Sequence, residues 1–320
     1  MRVLFLTQTG PLGPSSRYRV YQLLPLLSGI EAVVSPGVEG SLRETWQRRR
    51  ADLERVGEFD AVFVQKGVFP GLYSGFERRI AARKPLILDF DDAIWLPRVG
   101  GSRLAHLLHR EPSVQEVLRC AAAVIAGNDY LAEYASGFNR NVTVVPTAID
   151  TAKYPTGGGT TVGWIGSRTT ARYLKPLQPV FAKLGVQLRV IGAAEPGFPV
   201  DFRPWTLETE LAELAQLGIG IAPLPDGPWE RGKCGVKVLQ YMACGLPVVA
   251  SPVGVHNQMI QHGVNGYLAA ELVEWESYLR ELIAHTALRQ QLGEAARALV
   301  RERYDIHQAA ERVAAVLKLN

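Results

Sequence analysis

The sequence predicts an α/β protein built from two Rossmann-like halves, each a doubly wound parallel sheet. Short apolar runs rich in Val and Ile rarely alternate with polar residues, which is typical of parallel strands buried on both faces, and longer helical patterns separate them. One chain order also occurs twice, from Val3 and again from Thr160: a strand, a glycine-containing loop, a Ser or Thr that can cap, and a helix. Right-handed βαβ crossovers are expected within each half.

Nine strands are predicted, five in the first half and four in the second. They are residues 3–6, 61–65, 86–89, 122–126, 142–145, 161–165, 187–191, 219–222 and 247–250.

The stretch 150–159 is loose and glycine-rich, and it separates the two repeated starts. We therefore expect one domain over residues 1–155 and a second over residues 156–302. From Glu271 onwards the pattern is almost entirely helical. By analogy with folds of this kind, residues 303–320 are expected to form a helix that packs back on the first domain.

Length and composition indicate a globular protein of two domains. The chain has 320 residues, of which 47% are hydrophobic and 21% charged, and roughly 150 residues per domain is the usual size. The net charge of +4 divides evenly, with 18 basic against 16 acidic residues in 1–150 and 17 against 15 in 151–320. A clustered basic face of the kind that binds nucleic acid is absent from this pattern.

Cysteine and histidine usage argues against a disulfide scaffold and against a metal site. The three cysteines stand in no CxxC spacing and the six histidines show no metal-ligand spacing, which favours a reducing compartment. The opening MRVLFLTQTG has the pattern of a first strand, not of a signal peptide, and no stretch reaches the roughly 20 apolar residues of a membrane helix. We expect a cytoplasmic protein, with peripheral membrane contact left open.

The turn after the strand at 161–165 is a candidate phosphate site. Loops at the carboxyl ends of parallel strands meet helix N-termini, whose N–H groups suit anions. Here Gly166 permits close backbone approach, Ser167 follows, and Arg168 could fork onto a diphosphate. A solvated helix start is the alternative, and the motif alone does not decide.

A second candidate lies in KCGVKVLQYMACGLPVVASPVG, residues 233–254. Lys233 and Lys237 stand at i and i+4, so both can lie on one side of a helix start. Cations there oppose the helix dipole unless a polyanion binds; a pair of surface lysines is the alternative. Gln240 lies one turn beyond Lys237, where its amide could bond a ribose hydroxyl or simply face solvent.

The segment KVLQYMACGLPVVASPVG, with NQMIQHGVNGYLA after it, resembles the donor-binding segment of retaining GT-B glycosyltransferases of the large family 4, the glycosyl transferases group 1. LGIGIAPLPDGPWERGKCGVK, TVGWIGSRTT and TQTGPLGPSSRYR extend the resemblance over essentially the whole chain. It implies a GT-B fold, with two Rossmann-like domains facing a central cleft.

The resemblance also implies a nucleotide-diphosphate sugar on the second domain, without a cofactor or metal. Arg168 would hold the diphosphate together with Lys233 or Lys237, and Lys175 is a weaker candidate. The other donor-binding positions implied are Gly13, Gly166, Ser167, Gln240, Val253 and Gly254.

This chain departs from the family's acidic pattern. The family usually has two glutamates eight residues apart, where this chain has Gly232 and Gln240. Gln258 stands where another acid is usual, and Glu230 is nearby but out of register. Chains with this Gln resemble a subgroup of the family, so the change need not abolish activity.

The first domain is expected to hold the acceptor. Its loop containing Gly13 resembles the family's flexible glycine loop. Ser15, Ser16, Arg17 and Arg19 follow at the first helix and are candidate acceptor ligands, although a solvated helix end explains the arginines equally well.

Three acids end the apolar strand in ILDFDDAIWLP: Asp89, Asp91 and Asp92. If the enzyme inverts the sugar, Asp91 or Asp92 is the candidate general base for the acceptor hydroxyl. If it retains, the family's reaction needs no protein base and these acids would position substrate. One of them capping the next element is a further alternative.

Two basic stretches, Arg48-Arg49-Arg50 and Arg78-Arg79 with Arg83-Lys84, fall on predicted helices of the first domain. Such runs are usually solvated faces, and the alternative is contact with anionic lipid.

Together these observations predict a glycosyltransferase that moves a hexose-type sugar to a hydroxyl of a glycan or lipid-linked acceptor in cell-surface polysaccharide or glycoconjugate synthesis. A retaining outcome is favoured over an inverting one. A sugar-nucleotide epimerase of the same fold and a catalytically silent nucleotide-sugar-binding subunit are the alternatives.

Overall fold

A computed structural model describes residues 1–37, 41–69, 75–97, 111–192 and 195–319. The chain divides into two compact units. Unit 1 comprises Met1–Ala148, Gly232–Cys234 and Ile306–Asn320, and unit 2 comprises Ile149–Arg231 and Gly235–Asp305.

Unit 1 contains a six-stranded parallel sheet. Its strands are β1 (Arg2–Leu6), β2 (Glu31–Ser35), β3 (Ala61–Gln65), β4 (Leu86–Phe90), β5 (Ala123–Ala126) and β6 (Val142–Val144). They lie in the order β2-β1-β3-β4-β5-β6. Strands β3, β4 and β5 are buried along their whole length, as their largely apolar sequences predict.

Helical segments connect these strands. They are Pro14–Ser16, which continues as a π-helical turn at Arg17–Tyr21, then Leu24–Leu26, Leu42–Arg55, Val56–Glu58, Gly75–Ala81, Glu111–Cys120, Asp129–Ser136 and the later helix Ile306–Lys318. Leu42–Arg55 begins with a capping box between Ser41 and Glu44, which satisfies two backbone N–H groups at the helix start.

The helix Ile306–Lys318 belongs to the core of unit 1. Its apolar face, including Ile306, Val313 and Leu317, is buried against β1 residues such as Val3 and Phe5. The sheet's first strand is thus covered by the chain's last helix.

Unit 2 contains a second six-stranded parallel sheet. Its strands are β7 (Thr161–Gly166), β8 (Arg189–Gly192), β9 (Asp201–Pro204), β10 (Leu217–Ala222), β11 (Val248–Ala250) and β12 (Gly266–Leu268). They lie in the order β12-β11-β10-β7-β8-β9. Two parallel sheets flanked by helices confirm the predicted α/β class.

The helical segments of unit 2 are Thr151–Lys153, Arg168–Ala171, Arg172–Leu177, Gln178–Leu184, Glu210–Ala215, Pro228–Arg231, Val236–Ala243, His256–Met259, Leu272–Ala284 and Thr286–Arg303. Val236–Ala243 is buried from Val238 to Ala243. Its Tyr241 hydroxyl accepts a 2.8 Å hydrogen bond from the Ile165 N–H, so helix and sheet are held in register at the end of β7.

All nine predicted strands are present, at bounds that differ by at most two residues. The three strands that the sequence did not predict, β2, β9 and β12, each lie at the edge of a sheet. Edge strands have one unpaired side, and β2 and β9 are partly exposed, so their sequences lack the continuous apolar pattern.

The interpretation of Arg48-Arg49-Arg50 as a solvated face is wrong for its middle residue. Arg49 is buried, and its guanidinium donates to the carbonyl oxygens of Thr7, Ser35 and Val68 at 2.6, 2.9 and 3.2 Å. Arg49 therefore fixes the carboxyl end of β1 and cannot lie against lipid. A run of three arginines does not reveal from its sequence alone which of the side chains points into the protein interior.

Candidate functional site

Three neighbouring strands of unit 2, β11, β10 and β7, end at the same edge of the sheet. The turn at Gly166 ends β7, the segment around Glu230 follows β10, and the Val253-Gly254 turn follows β11. Ligands of doubly wound sheets bind outside the carboxyl ends of strands, so this edge is the candidate site in unit 2.

Lys237 lies directly beside the Gly166 turn. Its Nζ donates a 3.0 Å hydrogen bond to Thr170 Oγ1 and stands 4.2 Å from the centroid of the Trp164 ring. A Cβ added to Gly166 would come within 2.5 Å of Lys237 Nζ and 2.6 Å of Trp164. The structure thus brings Lys237 and Gly166 together, and glycine is required there by close packing.

Arg168 is exposed and begins the helix Arg168–Ala171. Lys237 reaches the same helix through Thr170. Ser167 precedes the helix, with its hydroxyl 3.0 Å from the Thr169 hydroxyl. One turn therefore carries the Arg168 side chain and receives the Lys237 ammonium, which suits a diphosphate with two charges to neutralise.

Lys233 and Lys237 do not share a helix face, contrary to the prediction. The helix begins only at Val236, after Gly235 with φ +67°. A Cβ on Gly235 would also lie 2.7 Å from Met259 Sδ. Because this glycine reverses the chain before the helix, Lys233 lies outside it, in the segment Gly232–Cys234 of unit 1.

Gln240 is only 3% exposed, so the alternative of a solvated Gln is wrong. Within the described part of the chain its Nε2 has no hydrogen-bond partner. An unsatisfied buried amide costs about 1–3 kcal/mol, and an incoming hydroxyl would satisfy it. Gln240 remains a candidate for donor binding on this ground.

The turn after β11 has a glycine with a steric reason and a neutral histidine. Gly254 has φ +54°, and a Cβ there would lie 2.8 Å from the carbonyl oxygen of Arg231. Val253 is buried just before it. The pKa of His256 falls to about 4, chiefly because the ring is buried; the hydrogen bond to Ser251 opposes this shift and the Lys237 charge contributes to it.

The contact of His256 Nδ1 with the Ser251 carbonyl oxygen, 3.0 Å long, assigns the proton of the neutral ring to Nδ1. Nε2 is then an acceptor. The ring can take a hydrogen bond from a ligand hydroxyl but adds no positive charge beside Lys237.

Glu230, which the sequence placed out of register, is buried on the helix Pro228–Arg231. Its Oε1 accepts a hydrogen bond of 2.5 Å from the Tyr173 hydroxyl. An acid therefore does lie in the loop after β10, joined to the segment that follows the Gly166 turn.

In unit 1 the first loop is tied to the carboxyl ends of β3 and β4. Gly13 packs so close to Thr9 that a Cβ would lie 2.8 Å from the Thr9 Cβ. The Ser15 hydroxyl donates to Asp91 at 2.6 Å, and the buried Ser16 hydroxyl donates to Gln65 Oε1 at 2.7 Å. Ser15 therefore lies beside the predicted acids, whereas Ser16 is engaged in holding the loop.

Arg17 and Arg19 do not form a solvated helix end, because both are buried. Arg19 makes an ion pair with Asp89 in which the side chains are 2% and 1% exposed, and it donates to the Val145 carbonyl oxygen at 2.5 Å. The Arg17 guanidinium lies 4.7 Å from the Tyr18 ring centroid. Arg19 is thus committed to the interior and is a structural residue, not an acceptor ligand.

The remaining acids of ILDFDD meet two lysines. Lys66 Nζ lies 2.8 Å from Asp91 and also pairs with Asp92, and Lys233 Nζ lies 3.3 Å from Asp92. Although burial opposes it, the two lysines hold the pKa of Asp92 down at about 2. Asp92 is therefore ionised and a weak proton acceptor at neutral pH.

Sequence reasoning missed Lys66, although it directly follows the carboxyl end of β3. Its φ of +62° is the left-handed backbone region for a side-chain-bearing residue, a conformation that persists only when surrounding contacts enforce it. Here the ion pairs with Asp91 and Asp92 do so. A lysine immediately after a buried strand was the available signal.

Asn128 was also missed. Its Nδ2 donates to the carbonyl oxygens of Gly232 and Lys233, both at 3.2 Å, while its Oδ1 caps the helix Asp129–Ser136 through the Leu131 N–H. Cys234 is buried and its thiol contacts the Asp91 carbonyl oxygen at 3.4 Å. These contacts fix Lys233 next to Asp92.

Across the ranges that the structure describes, no group of three or more His, Cys, Asp or Glu residues is arranged to hold a metal ion. None of the helices in those ranges combines the length and apolar character that crossing a bilayer requires.

The two parallel six-stranded sheets define the protein as a GT-B fold. HepE of Anabaena in complex with UDP-glucose superposes with a TM-score of 0.75 at 18% identity over 100% of both chains. Sucrose-phosphate synthase from Thermosynechococcus elongatus superposes with 0.74 at 14% identity, over 100% of this chain and 99% of that one. A glycosyltransferase from Rickettsia africae gives 0.66 at 10% identity, over 100% and 99%.

The sequence narrows this class further. Residues 179–285 match the family described as Glycosyl transferases group 1, and this range contains Lys233, Lys237, Gln240 and Gly254. The resemblance read from the sequence is therefore confirmed, and with it the enzyme class, a glycosyltransferase. A sequence comparison with curated proteins gave no match.

Proposed function

We propose that the protein transfers a sugar from a nucleotide-diphosphate sugar to an acceptor hydroxyl, with the donor bound by unit 2. The observation that carries this proposal is the Lys237 ammonium, held against the Gly166 turn that also bears the exposed Arg168. The absence of a side chain at Gly166 makes room for the Lys237 ammonium, and two cations at one turn match a diphosphate.

The comparisons support a nucleotide sugar as the donor. HepE, of the same fold, is described in complex with UDP, with UDP and glucose, and with UDP-glucose. We therefore take a uridine diphosphate sugar as the first candidate.

In the proposed reaction Lys237 and Arg168 neutralise the diphosphate as it leaves. The negative charge on that group grows as the glycosidic bond breaks, and preorganised cations stabilise such charge more in the transition state than in the ground state. Gln240 Nε2 would donate a hydrogen bond to a hydroxyl group of the nucleotide sugar, because it is buried without a partner among the described residues. His256 Nε2 would accept from another.

The acids of unit 1 support a retaining outcome. An inverting transferase needs a base whose pKa lies near the working pH, and the lysines depress the pKa of Asp92 to about 2. Asp91 is occupied by Lys66 and Ser15. We assign both acids to positioning substrate, with the departing phosphate as proton acceptor.

The acceptor is assigned to unit 1, where the Ser15 hydroxyl lies beside Asp91 and Arg17 lies in the same helical segment. A glycan or lipid-linked acceptor in cell-surface polysaccharide synthesis, with the protein in the cytoplasm or at the inner membrane face, remains our expectation for the wider context.

A thermal-shift panel of nucleoside diphosphates tests the donor assignment. A ligand that binds only the folded protein raises its Tm, by an amount that grows with concentration over Kd. We expect UDP or another nucleoside diphosphate to raise Tm at millimolar concentration, and Lys237→Ala or Arg168→Ala to reduce that shift strongly. Lys153→Met, a substitution of an exposed lysine in unit 2, is the matched control and should leave the shift unchanged.

Incubation with the matching nucleotide sugar then identifies the reaction. Transfer to an added acceptor or slow donor hydrolysis, lost in the same two variants, supports the proposal. A new free nucleotide sugar formed from donor alone would indicate an epimerase instead. If no nucleoside diphosphate shifts the protein, the donor site is wrongly assigned.

A further inference from the structure

The side chain of Lys237 is held by neutral groups of unit 2 that no sequence motif predicted. Trp164 lies in β7, 1% exposed, and its ring face is 4.2 Å from Lys237 Nζ. The Thr170 hydroxyl accepts from the same ammonium at 3.0 Å. Gly166 completes the arrangement, since its ideal Cβ position lies 2.7 Å from Lys237 Cε.

Trp164 is itself fixed in place. It belongs to the apolar core of unit 2 together with Val162, Val190 and Ile221. An ideal Cβ on Gly192 of the next strand would lie 3.6 Å from its ring and 3.1 Å from the Gly166 carbonyl oxygen. The Trp164 indole ring is therefore held in a fixed position by its neighbours, with one face against the Lys237 ammonium.

We propose that Trp164, with Thr170, is the positioning residue of the donor site: it holds the Lys237 ammonium at the Gly166 turn so that the diphosphate of the donor meets a preordered cation. This inference rests on the proposed function. Lysine side chains have many rotamers to lose, and a cation over an indole face is attracted without being neutralised. The Thr170 hydroxyl likewise orients the ammonium but carries no opposing charge.

The lysines of unit 1 show the contrast. Lys66 and Lys233 contact the carboxylates of Asp91 and Asp92, which cancel much of their charge. The Trp164 ring and the Thr170 hydroxyl that contact Lys237 carry no opposing charge. Neutral His256 nearby, whose pKa falls to about 4 chiefly through burial, adds no competing charge at neutral pH.

The test is a double-substitution cycle read out by calorimetric binding of UDP, or of whichever nucleoside diphosphate the thermal-shift panel identifies. Trp164→Phe keeps a ring but weakens its attraction for a cation, and we expect it to weaken diphosphate binding by about three- to tenfold. Thr170→Val should weaken binding by about threefold, and Thr170→Ser should restore it, since the hydroxyl returns.

The decisive measurement is made in a Lys237→Met background. If Trp164 acts through Lys237, adding Trp164→Phe to Lys237→Met changes binding by less than about twofold, because coupled residues are not additive. Binding of the corresponding nucleoside monophosphate provides a second readout. A purely structural role would weaken monophosphate and diphosphate equally, whereas a positioning role affects the diphosphate more.

The outcomes separate this inference from the proposed function. The donor site itself is refuted if the unaltered protein binds no nucleoside diphosphate. It is also refuted if the Lys237→Met variant binds the nucleoside diphosphate as tightly as the unaltered protein. If Lys237→Met weakens binding but Trp164→Phe and Thr170→Val do not, or if the Trp164 effect persists at full size without Lys237, only the role of Trp164 and Thr170 is refuted. Should Trp164→Phe fail to fold, the Thr170→Val and Thr170→Ser pair decides.

Discussion

The ion pair between Arg19 and Asp89 gives the sharpest prediction for unit 1. Both side chains are almost completely buried, at 2% and 1% exposure, and the Arg19 guanidinium also donates to the Val145 carbonyl oxygen. Removing either partner alone leaves the other as a buried charge without its counter-ion. We therefore consider Asp89→Asn, Arg19→Met and the double variant.

Breaking a buried pair from one side costs about 3–5 kcal/mol, whereas replacing both charges by uncharged groups of similar volume is often nearly neutral. Asp89→Asn should thus lower the free energy of unfolding of unit 1 by about 3–5 kcal/mol. For a unit of this size that corresponds to a Tm decrease of about 6–20 °C. The double variant should recover most of the loss.

The two single variants should differ in their pH dependence. Burial already raises the pKa of Asp89, and Arg19 is the main group that lowers it. In Arg19→Met the carboxyl therefore has a pKa well above its unfolded value, so its penalty is largest at alkaline pH and is relieved as pH falls and the carboxyl protonates. Asp89→Asn leaves a guanidinium that does not deprotonate, and its penalty should not change between pH 5 and 8.

Thermal unfolding by circular dichroism at several pH values, combined with hydrogen exchange of the β4 and π-turn peptides, measures these effects in unit 1. Glu54→Gln is the control, because Glu54 forms an exposed ion pair with Arg50 on the helix Leu42–Arg55. This variant should change stability by less than about 0.5 kcal/mol. Single variants that lose less than 1 kcal/mol, or a double variant worse than either single one, would contradict the reasoning.

Three further predictions concern unit 2. Gly166→Ala places a methyl group within 2.5 Å of Lys237 Nζ and should weaken nucleoside diphosphate binding by about tenfold in calorimetry, since a charged contact of about 1.5–3 kcal/mol is displaced; unchanged affinity would refute the close packing. Gly254→Ala adds a side chain at φ +54° against the Arg231 carbonyl oxygen and should cost about 1–3 kcal/mol in chemical unfolding. His256 has a folded pKa of about 4 against 6.5 unfolded, so stability is full above pH 6.5 and falls by up to about 3 kcal/mol towards pH 4; a His256→Gln variant should lack this acid-dependent loss in urea titrations.

The strands inside the sheets could be predicted from the sequence, as could the edge strand β6, whereas the edge strands β2, β9 and β12 could not. Strands such as β5 and β10 are apolar throughout because both faces are covered, so composition alone indicates them. The edge strands β2 and β9 mix polar and apolar residues, since one side is open. The hydrophobic pattern of a short segment does not show whether the strand will lie at the edge of its sheet, because tertiary structure decides that position.

The candidate site was predictable to the extent that glycines and strand ends define it. Gly166 and Lys237, both predicted from the sequence, lie together, whereas the burial of Gln240 was not predicted. The prediction that Lys233 and Lys237 share a helix face failed because the helix begins only after Gly235. The i, i+4 spacing of the two lysines does not reveal the left-handed backbone of that glycine. The inward positions of Arg19 and Arg49 depend on which carboxylate or carbonyl lies across the sheet, and that is settled by tertiary packing.

The composition of unit 1 has a consequence for how the chain is made. Its compact unit needs Gly232–Cys234 and the helix Ile306–Lys318, and that helix covers Val3 and Phe5 of the first strand. When residues 1–148 have left the ribosome, the helix Ile306–Lys318, which completes the core around their sheet, has therefore not yet been synthesised. Unit 2, whose chain is continuous except for three residues, can complete its fold first, so the half synthesised later is expected to mature earlier.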